Sequence, residues 1–238
     1  MSEKKKRGKE FDNPYSVAKA ITKGNVLTKL SMVVLGLGNI AHHQIIEGLG
    51  MLAIEIAFIA FMVMKGAGYI VDLVHLGGQE QQKVWSEAKQ IYEYTKGDNS
   101  LLMLLFGVAT CFLVAAFIIF WRGSVKSAYK MQCLAEAGKK IPTFKEDIKS
   151  LFDKDLHRTL LTLPILGILI FTVLPLVFMI CMAFTNYSKV DAHTTIFNWV
   201  GLANFAKVLN IGDSIGSTFW SVLGWTLIWA VAATFSNY

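Results

Sequence analysis

The chain has 238 residues and a net charge of +6, with 54% hydrophobic but only 17% charged residues. A soluble domain carries about 25% charged residues on average, so this composition excludes a soluble enzyme and a disordered chain. The three cysteines form no C-x-x-C or Cys/His cluster, which excludes a disulfide scaffold and a metal site. The sequence therefore predicts an all-α membrane protein.

The N-terminal 44 residues combine a basic tail with the apolar stretch Val26 to Ile40. This stretch is short for a membrane span, which takes about 20 apolar residues, and Gly36, Gly38 and Asn39 interrupt it. We predict that it does not cross the membrane. It would form either an interfacial helix in the membrane plane or a re-entrant segment packed under the first span.

Four apolar runs are long enough to cross a bilayer as helices. They are Ile45 to Met64, Leu101 to Trp121, Leu160 to Phe184 and Phe219 to Phe235. Between the first two, the segment Gln79 to Gly97 has apolar residues at helical spacing and is predicted to be an external helix that caps the first transmembrane hairpin.

The charges between these runs predict their orientation, because cytoplasmic loops are enriched in Lys and Arg. Residues 1–44 hold eight basic and three acidic groups, and residues 122–158 hold nine and five. Residues 65–100 hold four basic and five acidic groups, and residues 186–217 hold two of each. The alternation places both ends of the chain in the cytoplasm.

Two residues inside the spans are candidates for a structural role. Glu55 is an ionisable group within the first span, where it needs a partner or a cavity. It is predicted to pack between helices or to anchor a partner subunit, with a place in a transport pathway as the alternative. Pro175 lies inside the third span and is predicted to bend it, either as a moving joint or as a static kink.

The last span carries three tryptophans. Trp225 and Trp229 are four residues apart and share one helix face, where their rings could stack on a sugar or could only pack or face lipid. Trp220 lies nearer the outer surface and is predicted to belong to the aromatic belt of the membrane interface.

Motifs for chemistry are missing from the sequence. It contains no Walker-type, HExxH or GxGxxG sequence, so no catalytic or metal-binding residue is predicted. The basic residues lie in blocks beside apolar runs, without interleaved aromatic residues. This pattern favours membrane lipid, and not nucleic acid, as the partner.

Residues 160–205 carry a resemblance to a known family. Two prolines stand in LPI (163–165) and LPL (174–176), the span leaves through MAFTNY (182–187), and FNWVGLANF (197–205) follows. This order resembles the maltose-type (MalF-like) permease subunits of bacterial ABC sugar importers. The similarity extends from about Lys29 to the end of the chain, and the basic sequence LAEAGKKIP (134–142) resembles the longer Gram-positive members.

The resemblance implies a permease subunit of the bacterial cell membrane that works by alternating access on maltodextrin-like sugars. Its implied partners are a second permease subunit, a cytoplasmic ABC ATPase dimer that binds the ATP, and an extracellular sugar-binding protein. No cofactor is expected on this chain. The family's coupling motif for the ATPase is expected beyond residue 238, because Glu136-Ala137-Gly138 lacks the E-A-A triplet and the glycine spacing.

The predicted organisation has five parts, which make the chain the N-terminal portion of such a permease. They are the cytoplasmic tail with the interfacial or re-entrant helix (1–44), the first transmembrane hairpin with its external helical loop (45–121), the basic cytoplasmic loop (122–158), the kinked third span with an external loop (159–217), and the truncated start of the transport domain (218–238).

Two other classes stay open on the residues alone. A membrane scaffold or assembly subunit would use the four helices only to anchor and recruit partners. An ion-coupled secondary transporter would use Glu55 as its proton site.

Overall fold

The computed structural model describes residues 15–80, 82–87, 89–153, 156–187 and 196–237, and the basic tail predicted at residues 1–14 lies outside them. In chain order the elements are α1 (Val17–Lys23), α2 (Val26–Leu30), α3 (Leu37–Ala41), α4 (Ile45–Phe61), α5 (Ala67–His75), β1 (Lys83–Ser86), β2 (Ile91–Tyr94), α6 (Ser100–Glu136), α7 (Phe144–Phe152), α8 (Leu156–Ile168), α9 (Leu174–Ala183), α10 (Ala203–Leu209) and α11 (Ser214–Ser236). A π-helical turn, Met62–Gly66, joins α4 to α5, and a second, Leu169–Val173, joins α8 to α9.

Within the described residues, four helical stretches are long and apolar enough to cross a membrane. They are Ile45–His75, Ser100–Glu136, Thr159–Ala183 and Ser214–Ser236. Each coincides with a predicted apolar run, so the prediction of an all-α polytopic membrane protein is confirmed.

Helix α6 is longer than a bilayer requires. Its 37 residues span about 55 Å at 1.5 Å per residue, whereas the hydrocarbon core is about 30 Å thick. The polar part that follows Trp121 therefore continues beyond the hydrocarbon core as regular helix and offers a surface on which other segments can pack.

The described chain forms two compact units. The first contains residues 15–68 and the described part of 110–169. Its buried cluster consists of Ala20 from α1 with Val125 and Tyr129 from the polar part of α6. The N-terminal helix is thus held by the same chain, against the extension of α6.

The stretch Val26 to Ile40 forms two short helices and not one. Helix α2 ends at Leu30 and α3 begins at Leu37, and Gly36 between them has a φ of 84°. This left-handed conformation costs a residue with a Cβ about 1–2 kcal/mol, which explains the glycine. The predicted interfacial or re-entrant segment is therefore two short helices joined by a turn, and its position in or under the membrane plane stays a prediction.

Helix α7 belongs to the basic connection after α6. At its start the backbone N–H of Thr143 donates to Glu146 Oε2 at 3.0 Å, and Lys140 Nζ donates to Glu146 Oε1 at 2.5 Å. The Lys140 hydrogen bond, followed by the Thr143 hydrogen bond, lowers the pKa of the Glu146 carboxyl. The carboxylate thus satisfies an N–H at the start of the helix while it pairs with a lysine of the preceding turn.

The second unit contains residues 69–109 and the described part of 170–237. Its segment from Gln79 to Gly97 is an antiparallel hairpin of β1 and β2, so the prediction of an external helix is wrong. Trp85 pairs with Tyr92 across the strands, with ring centroids 4.9 Å apart. Aromatic and β-branched side chains stabilise strands through such cross-strand pairs. In this segment the pairs favour strands more than the helical spacing of the apolar residues favours a helix.

Asp98 closes the base of this hairpin. Its Oδ2 accepts the backbone N–H of Gly78 at 2.9 Å and that of Gln79 at 3.0 Å. A carboxylate that accepts backbone hydrogen bonds is stabilised in its charged form, so these bonds lower the pKa of Asp98.

We expect acid to loosen the loop that Asp98 holds. Because the folded pKa lies below the unfolded value of about 3.9, the stabilisation is complete above that value and is lost as the pH falls through the folded pKa. Amide hydrogen exchange at Gly78 and Gln79 should show protection factors that drop on acidification in the wild type but stay constant in Asp98→Asn. Equal pH dependence in the two proteins would contradict this expectation.

Candidate functional site

Glu55 is buried in α4, with 8% of its surface exposed. Its Oε2 accepts the backbone N–H of Leu35 at 2.8 Å. Leu35 is fully buried and lies in the turn between α2 and α3, where helical hydrogen bonds are interrupted. The carboxylate therefore ties the first span to the N-terminal segment of the same chain. The structure gives Glu55 a packing contact within the chain, and a contact with a partner subunit stays a prediction.

Helices α3 and α4 approach each other at two glycines. A Cβ built on Gly36 would lie 2.2 Å from the carbonyl oxygen of Gly48, and one built on Gly48 would lie 2.4 Å from Ile40 Cγ1. Both distances are far below van der Waals contact, so neither position has room for a side chain. The glycines let the turn at Leu35 come close enough to reach Glu55.

Two side chains of α6 hold the N-terminal segment from the other side. Gln132 Oε1 accepts the backbone N–H of Asn25 at 2.9 Å and the hydroxyl of Thr28 at 2.8 Å. Trp121 Nε1 donates to the carbonyl oxygen of Met32 at 2.8 Å. The segment is thus fixed by hydrogen bonds to both long helices of the first unit, α4 and α6.

Pro175 is the second residue of α9, and this helix directly follows the π-helical turn Leu169–Val173. Proline has no N–H to offer to the preceding turn, and the wider π-helical turn accommodates this irregularity. Pro164, in contrast, lies inside the regular helix α8. The irregularity in the third span is therefore the π-helical turn that precedes Pro175, while the bend at Pro175 and its movement during transport stay predictions.

Trp225 and Trp229 contact each other on α11. Their ring centroids are 6.2 Å apart and their planes are inclined by 85°. Both are exposed, by 63% and 59%. Trp220 instead contacts Phe219, with centroids 5.6 Å apart. The structure thus brings together the two predicted sugar-contact residues as one exposed aromatic pair, and their contact with sugar stays a prediction.

The two motif segments that carry the family resemblance pair with each other in the second unit. The backbone N–H of Asn186 donates to Asn198 O at 3.0 Å, and that of Val200 donates to Phe184 O at 2.8 Å. This short antiparallel pairing also contains a bridge between Thr185 and Trp199. The segment after the third span therefore returns along the end of that span.

Asn204, the asparagine near the end of the second motif FNWVGLANF (197–205), hydrogen-bonds to the end of the third span. Its Nδ2 donates to the carbonyl oxygens of Ala183 at 2.9 Å and Thr185 at 2.7 Å. These carbonyls lie at the C-terminal end of α9, where helical N–H donors are missing. Asn204 therefore caps the third span from a distance of about 20 residues along the chain.

Sequence reasoning missed Gln132 and Asn204 as anchoring residues. For Asn204 the signal was available, because an amide inside a motif of apolar and small residues indicates a specific hydrogen bond. For Gln132 the signal was weak, since an amide in a polar helix is ordinary.

The four apolar helices define the class of the chain, a helical membrane protein with several spans. No protein-family model matches it, and no solved structure matches it significantly. Curated proteins do match. The chain is 27% identical over 207 residues to the maltodextrin transport system permease protein MalC of Streptococcus pneumoniae serotype 4. The matched region covers 86% of this chain and 44% of that protein.

Two proteins of Bacillus subtilis (strain 168) are similar to the same degree. The maltodextrin transport system permease protein MdxF is 28% identical over 216 residues, or 90% of this chain and 46% of its own length. The galactooligosaccharides transport system permease protein GanP is 27% identical over 211 residues, or 86% of this chain and 46% of its own length. The chain thus spans less than half the length of these curated relatives.

The chain is a homologue of permease proteins from bacterial oligosaccharide transport systems. This finding confirms the resemblance that residues 160–205 carry. The prediction that the chain is not an enzyme is also confirmed, because these homologues are transport permeases. Homology and the four apolar helices together make it a multi-pass protein of the bacterial cell membrane.

Proposed function

We propose that the chain forms membrane-spanning helices of the permease subunit of an ATP-driven ABC importer for maltodextrin-like oligosaccharides. The observation that carries this proposal is homology over 86–90% of the chain to permeases of maltodextrin and galactooligosaccharide transport systems. A separate cytoplasmic ATPase dimer, which the resemblance to ABC importer permeases implies, supplies the energy. A second permease subunit and an extracellular sugar-binding protein complete the assembly.

Transport in this proposal occurs by alternating access. The first and third spans each contain a π-helical turn, and such turns interrupt the regular hydrogen-bond ladder at positions where a helix can bend. Pro175 lies two residues after the π-helical turn of the third span. Bending there would let the third span adopt different paths when the transport pathway opens to either side.

The test is sugar uptake in a strain that lacks the gene for the full-length protein. Uptake of radiolabelled maltodextrin should fall to background, return with a plasmid copy, and disappear again when the partner ATPase gene is deleted. A scaffold in another process would leave uptake unchanged, and an ion-coupled transporter would not need the ATPase. Either result would overturn the proposal.

Glu55→Gln separates the importer from an ion-coupled transporter. Glutamine retains an acceptor oxygen for the Leu35 N–H but cannot carry a proton, so an ATP-driven importer with this variant should keep near-normal uptake at every pH. A proton-coupled transporter with Glu55 as its proton site should lose pH-dependent uptake in the same variant.

Trp225 and Trp229 are the proposed sugar contacts. If each ring contributes about 1 kcal/mol of stacking, the double variant Trp225→Ala/Trp229→Ala should raise the sugar concentration for half-maximal uptake about thirtyfold. Trp220→Ala, on another face of the same helix, is the matched control and should leave that concentration unchanged. Equal effects of the double variant and the control would assign the pair to packing or lipid contact.

A further inference from the structure

A cleft of about 780 Å³ lies at the start of α4, between that helix end and the connection from α6 to α7. His42 and His43 line one wall, and Lys139 and Lys145 line the other. All of these residues belong to the first unit. The volume falls in the range of about 300–1,000 Å³ that is typical of ligand pockets.

The two walls are joined by one side chain. Gln44, which precedes α4, donates through Nε2 to the carbonyl oxygen of Pro142 at 3.0 Å and to Asp147 Oδ2 at 3.1 Å. Gln44 is 5% exposed. Because this buried amide connects α4 to the residues around α7, the cleft is a built feature of the unit and not a gap between unrelated loops.

The charge of the cleft has one sign. No described acidic residue lines it, and neither Lys139 nor Lys145 forms a salt bridge with any residue that the structure describes. The neighbouring Lys140 is different, since Glu146 neutralises it. Two unneutralised ammonium groups and two imidazoles therefore face the same space.

The rest of the lining is apolar and belongs to a membrane span. Ile45 and Ile46 are the first two residues of the stretch Ile45–His75, and they are 53% and 61% exposed. Cationic side chains next to the first apolar turn of a span match the boundary between lipid headgroups and acyl chains. A soluble anion would use the cations but would have no contact for the isoleucines.

We propose that this cleft binds one anionic phospholipid. Lys139 and Lys145 hold its phosphate, assisted by His42 and His43, and its acyl chains lie along Ile45 and Ile46. The bound lipid would bridge α4 and the basic connection at the point where Gln44 already joins them. This proposal needs only that Ile45–His75 crosses the membrane, so it does not depend on the transported substrate.

The experiment measures binding of fluorescently labelled phosphatidylglycerol to the purified full-length protein in detergent. Each cation near an anionic headgroup contributes about fivefold to binding, so Lys139→Ala/Lys145→Ala should weaken binding about twenty- to thirtyfold. The matched control is Lys23→Ala/Lys149→Ala, which removes two exposed lysines of the same unit outside the cleft. It should leave binding unchanged, and Lys139→Arg/Lys145→Arg should retain it.

Competition and folding controls complete the test. Unlabelled phosphatidylglycerol should displace the probe, whereas phosphatidylcholine and millimolar glycerol phosphate should not. If the alanine pair keeps its thermal stability, its loss of binding is not a loss of folding. If the alanine pair does unfold, normal binding by the arginine pair shows that positive charge at these two positions is sufficient for binding. Equal binding by the alanine pair and the control, or displacement by glycerol phosphate, would overturn the proposal.

Discussion

Glu55→Leu is expected to lower the free energy of unfolding by about 1–3 kcal/mol, which is the cost of a buried hydrogen-bonding group left without a partner. Leucine has a similar size but no acceptor, so the Leu35 N–H, which now donates to Glu55 at 2.8 Å, would stay buried and unpaired. Thermal unfolding of the purified protein in detergent measures the change.

Glutamine at the same position is the control. It provides an acceptor oxygen at nearly the same place, so Glu55→Gln should lose much less stability than Glu55→Leu. If the two variants unfold at the same temperature, the hydrogen bond to Leu35 does not explain the glutamate. A leucine variant more stable than the wild type would assign the position to hydrophobic packing.

Gly48→Ala is expected to destabilise the contact between α3 and α4 by about 1–3 kcal/mol, the usual cost of overpacking. The new methyl group would lie 2.6 Å from Gly36 O as well as 2.4 Å from Ile40 Cγ1. Because a backbone oxygen cannot turn away, the turn at Leu35 must move and the hydrogen bond to Glu55 must stretch. Unfolding temperature and tryptic cleavage at Lys29 report this release.

Gly50→Ala is a closely matched control on the same helix. No described neighbouring atom lies within 4 Å of a Cβ at Gly50, so alanine there should stabilise the helix by about 0.5–1 kcal/mol. The two substitutions are chemically identical and two residues apart, and they should shift the unfolding temperature in opposite directions. Shifts of the same sign and size would mean that α3 does not pack on α4 as the structure shows.

The spans were predictable because their signal is local. Twenty or so apolar residues in a row leave few alternatives in a chain with 17% charged residues. The sequence also singled out Glu55 and Pro175 as unusual residues within apolar runs. It could not name the partner of Glu55, because a backbone N–H 20 residues away leaves no trace in composition or periodicity.

The external hairpin and the N-terminal segment were harder for a related reason. In both, short helices compete with extended strands or turns at similar energies, and contacts between distant residues decide. Trp85 and Tyr92 select the strands by pairing, and Gly48 and Glu55 select the turn at Leu35. Helical spacing over a few residues carries less free energy than these contacts do.

The direction in which the helices cross the membrane can be measured with two single-cysteine variants. In protein whose Cys111, Cys133 and Cys181 are replaced by alanine, Lys149→Cys probes the connection around α7 and Lys89→Cys probes the hairpin of β1 and β2. Intact cells treated with a membrane-impermeant maleimide should label Lys89→Cys at once and Lys149→Cys only after permeabilisation. Labelling of Lys149→Cys in intact cells, with Lys89→Cys protected, would contradict the proposed orientation and with it the cytoplasmic site for the ATPase.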